Sequence, residues 1–231
     1  MSDKAASLTS DQIDDLLLSA RYGDLEDLQS TLSPLFASTS SPTELLASIK
    51  NDDSNTLLHY ASANGHLDVV NYLLPHADLP SLLAQNISGN TPLHWAGLNG
   101  HLDTVKALVA HIEKLEKQNP EQAKKLNLIF HPKLDAASSQ PKADAESADA
   151  DNDKQDDGSE RKLWDVRNSA GRGPMSEAQM REQEAVVKYL LERMIDGPEG
   201  STLQPAEPMP PKPSAQPESI EDQTANLNLN N

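Results

Sequence analysis

Apolar residues recur at helical spacing in two neighbouring stretches of the chain, 52–74 and 86–109. In each stretch a glycine, Gly65 or Gly100, interrupts the pattern. Steps of three and four residues place one apolar face on a helix before the glycine and another on a helix after it. The pattern therefore predicts two helix pairs. In the first pair it predicts six core residues: Leu58, Ala61, Leu67, Val70, Leu73 and Leu74.

The second stretch opens with a turn and a helix-start signal, NISGNTPLH. Gly89 can take the positive φ that reverses the chain, and Pro92 suits a first helical turn, where no backbone N–H is needed. The turn, the T-P-L-H start and the later Gly-His break resemble the ankyrin repeat. Because a single repeat cannot bury its own apolar faces, the resemblance implies a stack of repeats, an all-α ankyrin-repeat solenoid.

Two weaker copies of the pattern flank these repeats. The first, residues 11–33, has the spacing that follows Gly23 but lacks the turn. The second, residues 168–195, aligns with the stretch from Asn86 at a constant offset of 82 residues and places Glu182 where Gly100 stands, which predicts an altered helix break. We therefore expect about four repeats, two well formed and two degenerate caps, at about 11–33, 52–74, 86–111 and 168–195.

The segments that join the repeats are predicted from turn residues. The Ser-rich residues 33–42 favour a loop before a short helix from Thr43. After Val109 the helical pattern continues until Pro120 ends or interrupts it. Residues 112–162 are expected to loop out of the stack as an insertion.

Composition predicts that part of the chain is disordered, since only 36% of its residues are hydrophobic and 3% aromatic. Residues 135–160 contain nine acidic residues, two lysines and almost no apolar ones. We expect an acidic disordered insertion at about 132–162 inside a repeat domain of residues 11–197. Residues 1–10 are expected to be a flexible N-terminus and residues 198–231 a disordered Pro/Glu-rich tail.

Several classes of function are disfavoured by the sequence. No cysteine is present, so neither a disulfide framework nor a thiolate zinc site is expected. His59 and His66, like His94 and His101, lie seven residues apart near acids, but they occupy ordinary ankyrin positions. The first of each pair is expected to bond a finger backbone rather than a metal. No catalytic motif or phosphate loop appears, so we expect no enzyme, metal or cofactor.

Charge and hydropathy indicate the kind of partner and compartment. The net charge of −17 repels the phosphates of nucleic acid and favours a basic protein partner. No apolar run reaches the length of a membrane span, and the opening MSDKAASLTSDQ lacks the apolar core of a signal peptide. We expect a cytoplasmic and nuclear protein, monomeric, with no membrane contact.

The candidate partner-binding surface is the concave face of the stack, which is formed by the turn tips (the fingers) and by the residues before each glycine break. Leu98 is the strongest single candidate, because its position usually faces solvent. Tyr60 and Trp95 are expected chiefly to pack, with a contact role for the Trp95 edge as the alternative. The predicted partner-binding residues are Arg21, Tyr22, Asp52, Asp53, Asn55, Tyr60, Asn64, Asn90, Trp95, Leu98 and Asn99. Further positions on the same face are Ala63, Ile87, Ser88, Met180 and Arg181.

The runs LLHYASANGHLDVVNYLL and GNTPLHWAGLNGHLDTVKALV, the acidic start without a turn and the acidic insertion together resemble the small fungal Yar-type ankyrin proteins. That family implies a dedicated chaperone of a newly made small-subunit ribosomal protein, the one numbered three. The resemblance implies that this chain shields a basic client and supports its delivery to ribosome assembly. The alternative is a generic ankyrin scaffold or an inhibitor of a signalling enzyme or transcription factor.

Overall fold

A computed structural model describes residues 8–131 and 161–195. The expectations for residues 1–7, 132–160 and 196–231 lie outside these described residues. Within them the regular structure is helical, with one isolated bridge between Lys50 and Thr56. The helices are α1 (Ser10–Tyr22), α2 (Leu25–Ser38), α3 (Pro42–Ser48), α4 (Leu57–Asn64), α5 (Leu67–Leu73), α6 (Leu79–Leu82), α7 (Pro92–Leu98), α8 (Leu102–Gln118), α9 (Pro120–Phe130), α10 (Pro174–Met180) and α11 (Glu184–Ile195), with a 3₁₀ turn at Leu74–His76.

The helices stack in two rows. The inner helices α1, α4, α7 and α10 contact one another in succession, and the outer helices α5, α8 and α11 do the same behind them. One continuous apolar core runs between the rows. Helices α7 and α10 start 82 residues apart, the offset expected from the sequence. The described helices are not long and apolar enough to cross a membrane.

Five of the six predicted core residues of the second repeat are buried. The exception is Leu67, which is only half-buried because it begins α5 directly after the helix break. Val69, which the pattern missed, is fully buried on α5 instead. The helical period was therefore correct, and the buried face was misplaced by part of a turn at the start of the helix.

The glycine at each helix break is required by the next repeat. Gly65 has φ +75°, and a Cβ built on it would lie 2.5 Å from the Nδ1 atom of His101. The predicted alteration at Glu182 is wrong, because its φ of +57° reproduces the left-handed break of Gly100. Glu182 is exposed, so its Cβ escapes the contact that excludes a side chain at Gly65.

One expectation about the segment that joins the first two repeats is corrected. The Ser-rich segment is not a loop throughout, because α2 continues past Pro34 to Ser38 and Phe36 stacks on His76 with ring centroids 4.1 Å apart. The carbonyl of Ser30, which loses its helical partner to the proline, belongs to an exposed residue and can bind water. The short helix α3 does form, starting one residue before Thr43.

Part of the expected insertion is packed structure. Helix α8 ends at Gln118 and Pro120 opens α9, as the sequence indicates, but Ile112 and Ala123 are buried in the core. Residues 112–130 therefore extend the stack rather than loop out of it. After the gap, Trp164 returns fully buried, a core position that the sequence did not reveal.

Candidate protein-binding surface

Each finger is folded by an asparagine at its base. The side-chain Oδ1 of Asn86 accepts hydrogen bonds from the backbone N–H groups of Ser88 and Asn90, both at 3.0 Å. Gly89, with φ +74°, completes the turn between them. Asn168 builds the last finger in the same way at the corresponding positions. The fingers are thus fixed by their own side chains and do not depend on a sheet.

The same asparagines join neighbouring fingers. Asn86 donates through Nδ2 to Oδ1 of Asn55 at 2.8 Å, and Asn168 donates to Oδ1 of Asn90 at 2.8 Å. Asn55 and Asn90 were predicted to contact a partner, yet their side-chain oxygens are occupied in holding the next finger. These two residues therefore have a structural role.

Backbone hydrogen bonds link the finger tips as well. The N–H of Ile87 donates to the carbonyl of Asp53 at 3.0 Å, and the N–H of Ser169 donates to the carbonyl of Ser88 at 3.1 Å. The three tips therefore form one hydrogen-bonded row, and their relative positions are set by the fold before any partner arrives.

Buried histidines fix the fingers to the inner helices, as the sequence indicated. His59 Nδ1 accepts from the backbone N–H of Thr56 at 3.1 Å, so its proton lies on Nε2, which donates to the carbonyl of Asn90 at 3.0 Å. His94 repeats the arrangement and donates to the carbonyl of Arg172 at 3.0 Å. Burial lowers the pKa of both imidazoles to about 4. Both rings are neutral hydrogen-bonding groups at physiological pH.

The second histidine of each pair has a different partner. His66 Nε2 donates to the carbonyl of Arg21 at 2.9 Å, and His101 Nε2 donates to the carbonyl of Ala63 at 3.0 Å. Each ring thus covers the preceding helix break instead of converging with the first histidine. Across residues 8–131 and 161–195, no group of three His, Asp or Glu side chains is placed to hold a metal ion.

The last finger carries an ionic network. Glu177 accepts from Asn168 Nδ2 at 2.7 Å and from Arg172 Nε at 2.8 Å. Desolvation would raise the pKa of Glu177, but the hydrogen bonds from Arg172 and Asn168 outweigh it and hold the pKa below its usual value. This carboxylate therefore stays ionised and rigid, as a structural partner of the arginine.

An open groove runs between the finger row and the ends of the inner helices. Its apolar surface comes from Leu98 together with two exposed side chains, Ile87 (68% exposed) and Met180 (62% exposed). Leu98 and Arg181 also line the continuing groove towards Ala63. Further lining residues are Ser88, Asn90, Asn168, Ser169, Ala170, Arg172 and Glu177, continuing to Asn64, Asn99, His101 and Gln183.

The predicted contact residues divide among three places. Asn64, Asn90, Leu98 and Asn99 line the groove. Four others are exposed but do not line the groove: Asp52 and Asp53 on the first finger tip, and Arg21 and Tyr22 at the end of α1. A role for any of them in binding stays a prediction.

Tyr60 and Trp95 do not line the groove in the described part of the chain. Tyr60 packs against the core, and its hydroxyl accepts a hydrogen bond from Asn51 Nδ2 at 3.0 Å. Trp95 is half-buried. These placements favour the packing interpretation of both residues. Asn99, in the groove, also donates to the carbonyl of Ala63 at 2.6 Å.

The last finger was overlooked as part of the site. Ser169 and Ala170 line the groove at its C-terminal end, and they lie 82 residues after Ile87 and Ser88. The offset that located the last repeat could have identified them. Within the groove lining the charged residues are Arg172, Glu177 and Arg181, so the groove itself is not acidic.

Comparison with known proteins agrees with the fold. Residues 16–119 match the family model described as ankyrin repeats in three copies. Together with the stacked helix pairs and hydrogen-bonded fingers, this match shows that the fold is an all-α ankyrin-repeat solenoid, as the sequence predicted.

Two individual proteins are similar to it. Over 62 residues the chain is 44% identical to the ankyrin repeat-containing protein YAR1 of Saccharomyces cerevisiae, a match that covers 26% of this chain and only 28% of the yeast protein. A chain in the crystal structure of the yeast ribosomal protein Rps3 in complex with its chaperone Yar1 is matched with a TM-score of 0.51 and 27% identity. This match covers 84% of this chain and 100% of that one. The expected resemblance to Yar-type proteins is confirmed.

Proposed function

We propose that this chain is a non-enzymatic binding protein that shields a basic, newly made small-subunit ribosomal protein and supports its delivery to ribosome assembly. The observation that carries the proposal is the likeness to a chain of the Rps3–Yar1 complex over 84% of this chain. In that complex Yar1 is the chaperone of Rps3. The client of this chain would be the corresponding ribosomal protein.

The chemistry of the surface supports a binding role. The finger row and the buried histidines present a preformed groove, which reduces the entropy lost when a partner binds. The net charge of −17 attracts a basic client and repels RNA that would compete for it. The groove's Arg172 and Glu177 are paired with each other, which leaves neither poised for acid–base chemistry. We infer a monomer that works in the cytoplasm and nucleus.

The client can be identified by co-purification. Tagged full-length chain, purified after ribonuclease treatment, should retain a small-subunit ribosomal protein of the Rps3 type as the main partner by mass spectrometry. Recovery of a kinase or transcription factor alone would contradict the chaperone proposal and favour the scaffold or inhibitor alternative.

The shielding activity can be measured with purified Rps3. The chain should suppress Rps3 aggregation at stoichiometric ratio, and the affinity should fall as ionic strength rises, since exposed charges are screened. Replacing both Asp52 and Asp53 by Lys should weaken binding while circular dichroism shows an intact fold. Affinity that does not change with salt would refute the electrostatic account.

A further inference from the structure

The three finger tips differ in chemistry although the fold holds them in one row. The first tip carries two exposed carboxylates, Asp52 and Asp53. The second carries Ile87, whose backbone N–H is bonded to the carbonyl of Asp53 at 3.0 Å. The third carries the small, uncharged Ser169, bonded in turn to the second tip. An acidic position and an apolar position are therefore fixed one repeat apart.

The opposite wall of the groove is apolar beside the second and third fingers. There the third and fourth repeats present Leu98 and Met180, and the exposed Arg181 follows Met180. Ile87, Leu98 and Met180 line the same part of the groove. Ile87 and Met180 are each more than 60% exposed, a large fraction for bulky apolar side chains that face one groove.

We propose that a two-part site binds one segment of a protein partner: an acidic subsite on the first finger tip, Asp52 and Asp53, and an apolar subsite in the groove beside it, Ile87, Leu98 and Met180. That segment carries basic side chains and, one repeat away, a bulky apolar side chain. The identity of the partner rests on the proposed function, whereas the chemistry of the segment rests on the side chains of the finger tip and the groove.

The fold also sets the spacing that the segment must have. Neighbouring repeats stack through packed helices, which lie roughly 8–10 Å apart, so the proposal places the basic and apolar side chains of the segment about that far apart. In an extended segment this corresponds to about three residues, and in a helical segment to about six. Simple attraction between opposite charges would not require such spacing, so the spacing distinguishes the two-part site from it.

The apolar subsite is tested by replacing Ile87 with Ser in the full-length chain. Ile129 is the matched control, because it is the same residue type and is also 68% exposed, but it lies on α9 outside the groove. We expect Ile87→Ser to weaken binding of full-length Rps3 by roughly tenfold, the loss that fits burial of much of one isoleucine side chain. The salt dependence should be unchanged, and Ile129→Ser should bind like the parent chain.

The acidic subsite is tested by replacing both Asp52 and Asp53 with Asn. The control replaces Asp14 and Asp15 with Asn, because these two residues are also consecutive in the sequence and exposed but lie on α1. At physiological ionic strength, where the Debye length is about 8 Å, only the finger-tip pair should weaken binding. It should also flatten the plot of log Kd against log salt concentration. Overlapping Rps3 peptides should bind only where basic and apolar residues have the expected spacing.

The outcomes separate this proposal from the proposed function. If Rps3 binds the parent chain and Ile87→Ser behaves like Ile129→Ser, the two-part site is overturned while the chaperone role stands. If Rps3 does not bind, the chaperone role fails, and the same variants are compared on whichever protein co-purifies. If no protein binds the parent chain, both proposals are overturned.

Discussion

Mild acid should destabilise the stack through His59 and His94. The pKa of each ring is lowered from the ordinary 6.5 to about 4, mainly by burial. Because the folded-state pKa lies below the unfolded-state value, the stability that depends on neutral rings is fully present above about pH 6.5. It is lost as the pH falls towards 4, since the unfolded chain then binds protons that the folded chain excludes.

The expected loss of stability follows from the size of the two pKa shifts. One pKa unit corresponds to about 1.4 kcal/mol, so each ring lowers the free energy of unfolding by about 3 kcal/mol once the pH reaches 4. Between pH 7 and 5.5 only the first part is lost, about 1 kcal/mol per ring and about 2 kcal/mol for both. This is a large fraction of the roughly 5–15 kcal/mol that stabilises a typical domain. Stopping at pH 5.5 keeps most carboxylates ionised, and the lowered pKa of His111 adds in the same direction.

Urea unfolding followed by circular dichroism at pH 7 and pH 5.5 measures the loss. The parent chain should lose about 2 kcal/mol, His59→Gln and His94→Gln should each lose about half as much, and the double variant should lose little. Each variant should also be less stable at pH 7, because carbonyls such as that of Arg172 lose their donor. A stability independent of pH over this range, or a loss unaffected by removing both rings, would refute the assignment.

Three further changes test the packing of the repeats by urea unfolding. Ser54 has φ +63° where other fingers have glycine, so Ser54→Gly should stabilise by about 0.5 kcal/mol, the relief of strain being partly offset by chain entropy. Gly65→Ala should cost about 2 kcal/mol more than Gly171→Ala, because both positions have positive φ but only the first would press a Cβ against a neighbouring ring. Trp164→Ala should cost about 3–5 kcal/mol if the residue closes the core, and a loss below 1 kcal/mol would contradict that placement.

Local signals explain how much of the fold could be predicted. The turn at Gly89, the helix start at Pro92 and the apolar period depend on neighbours within a few residues, and each of these signals was interpreted correctly. Trp164 could not be placed in this way. It follows a long acidic stretch without its own apolar period, and its burial depends on elements far away in the sequence.

The candidate site was less predictable, because one residue type serves two purposes there. Nothing in the sequence distinguishes Asn55 and Asn90, whose side chains hold the next finger, from Asn64, whose side chain bonds within its own helix to the carbonyl of Tyr60. An asparagine near a partner-facing surface fits both a binding and a structural interpretation. Only the cross-finger partners, 31 and 78 residues away, decide between them.

Net charge and groove chemistry make different contributions to recognition. Most acidic residues within 8–131 and 161–195 lie outside the groove, including Asp11, Asp14 and Asp15 on α1. At low salt, where the Debye length reaches about 30 Å, such distant charges accelerate the encounter with any basic protein, but they select no particular one. Selection requires contacts at fixed distances, and the hydrogen-bonded finger row holds Asp53 and Ile87 at such a distance. In the binding site proposed above, charge would therefore govern how fast basic proteins arrive, and contacts at the finger tip and in the groove would govern which of them stays bound.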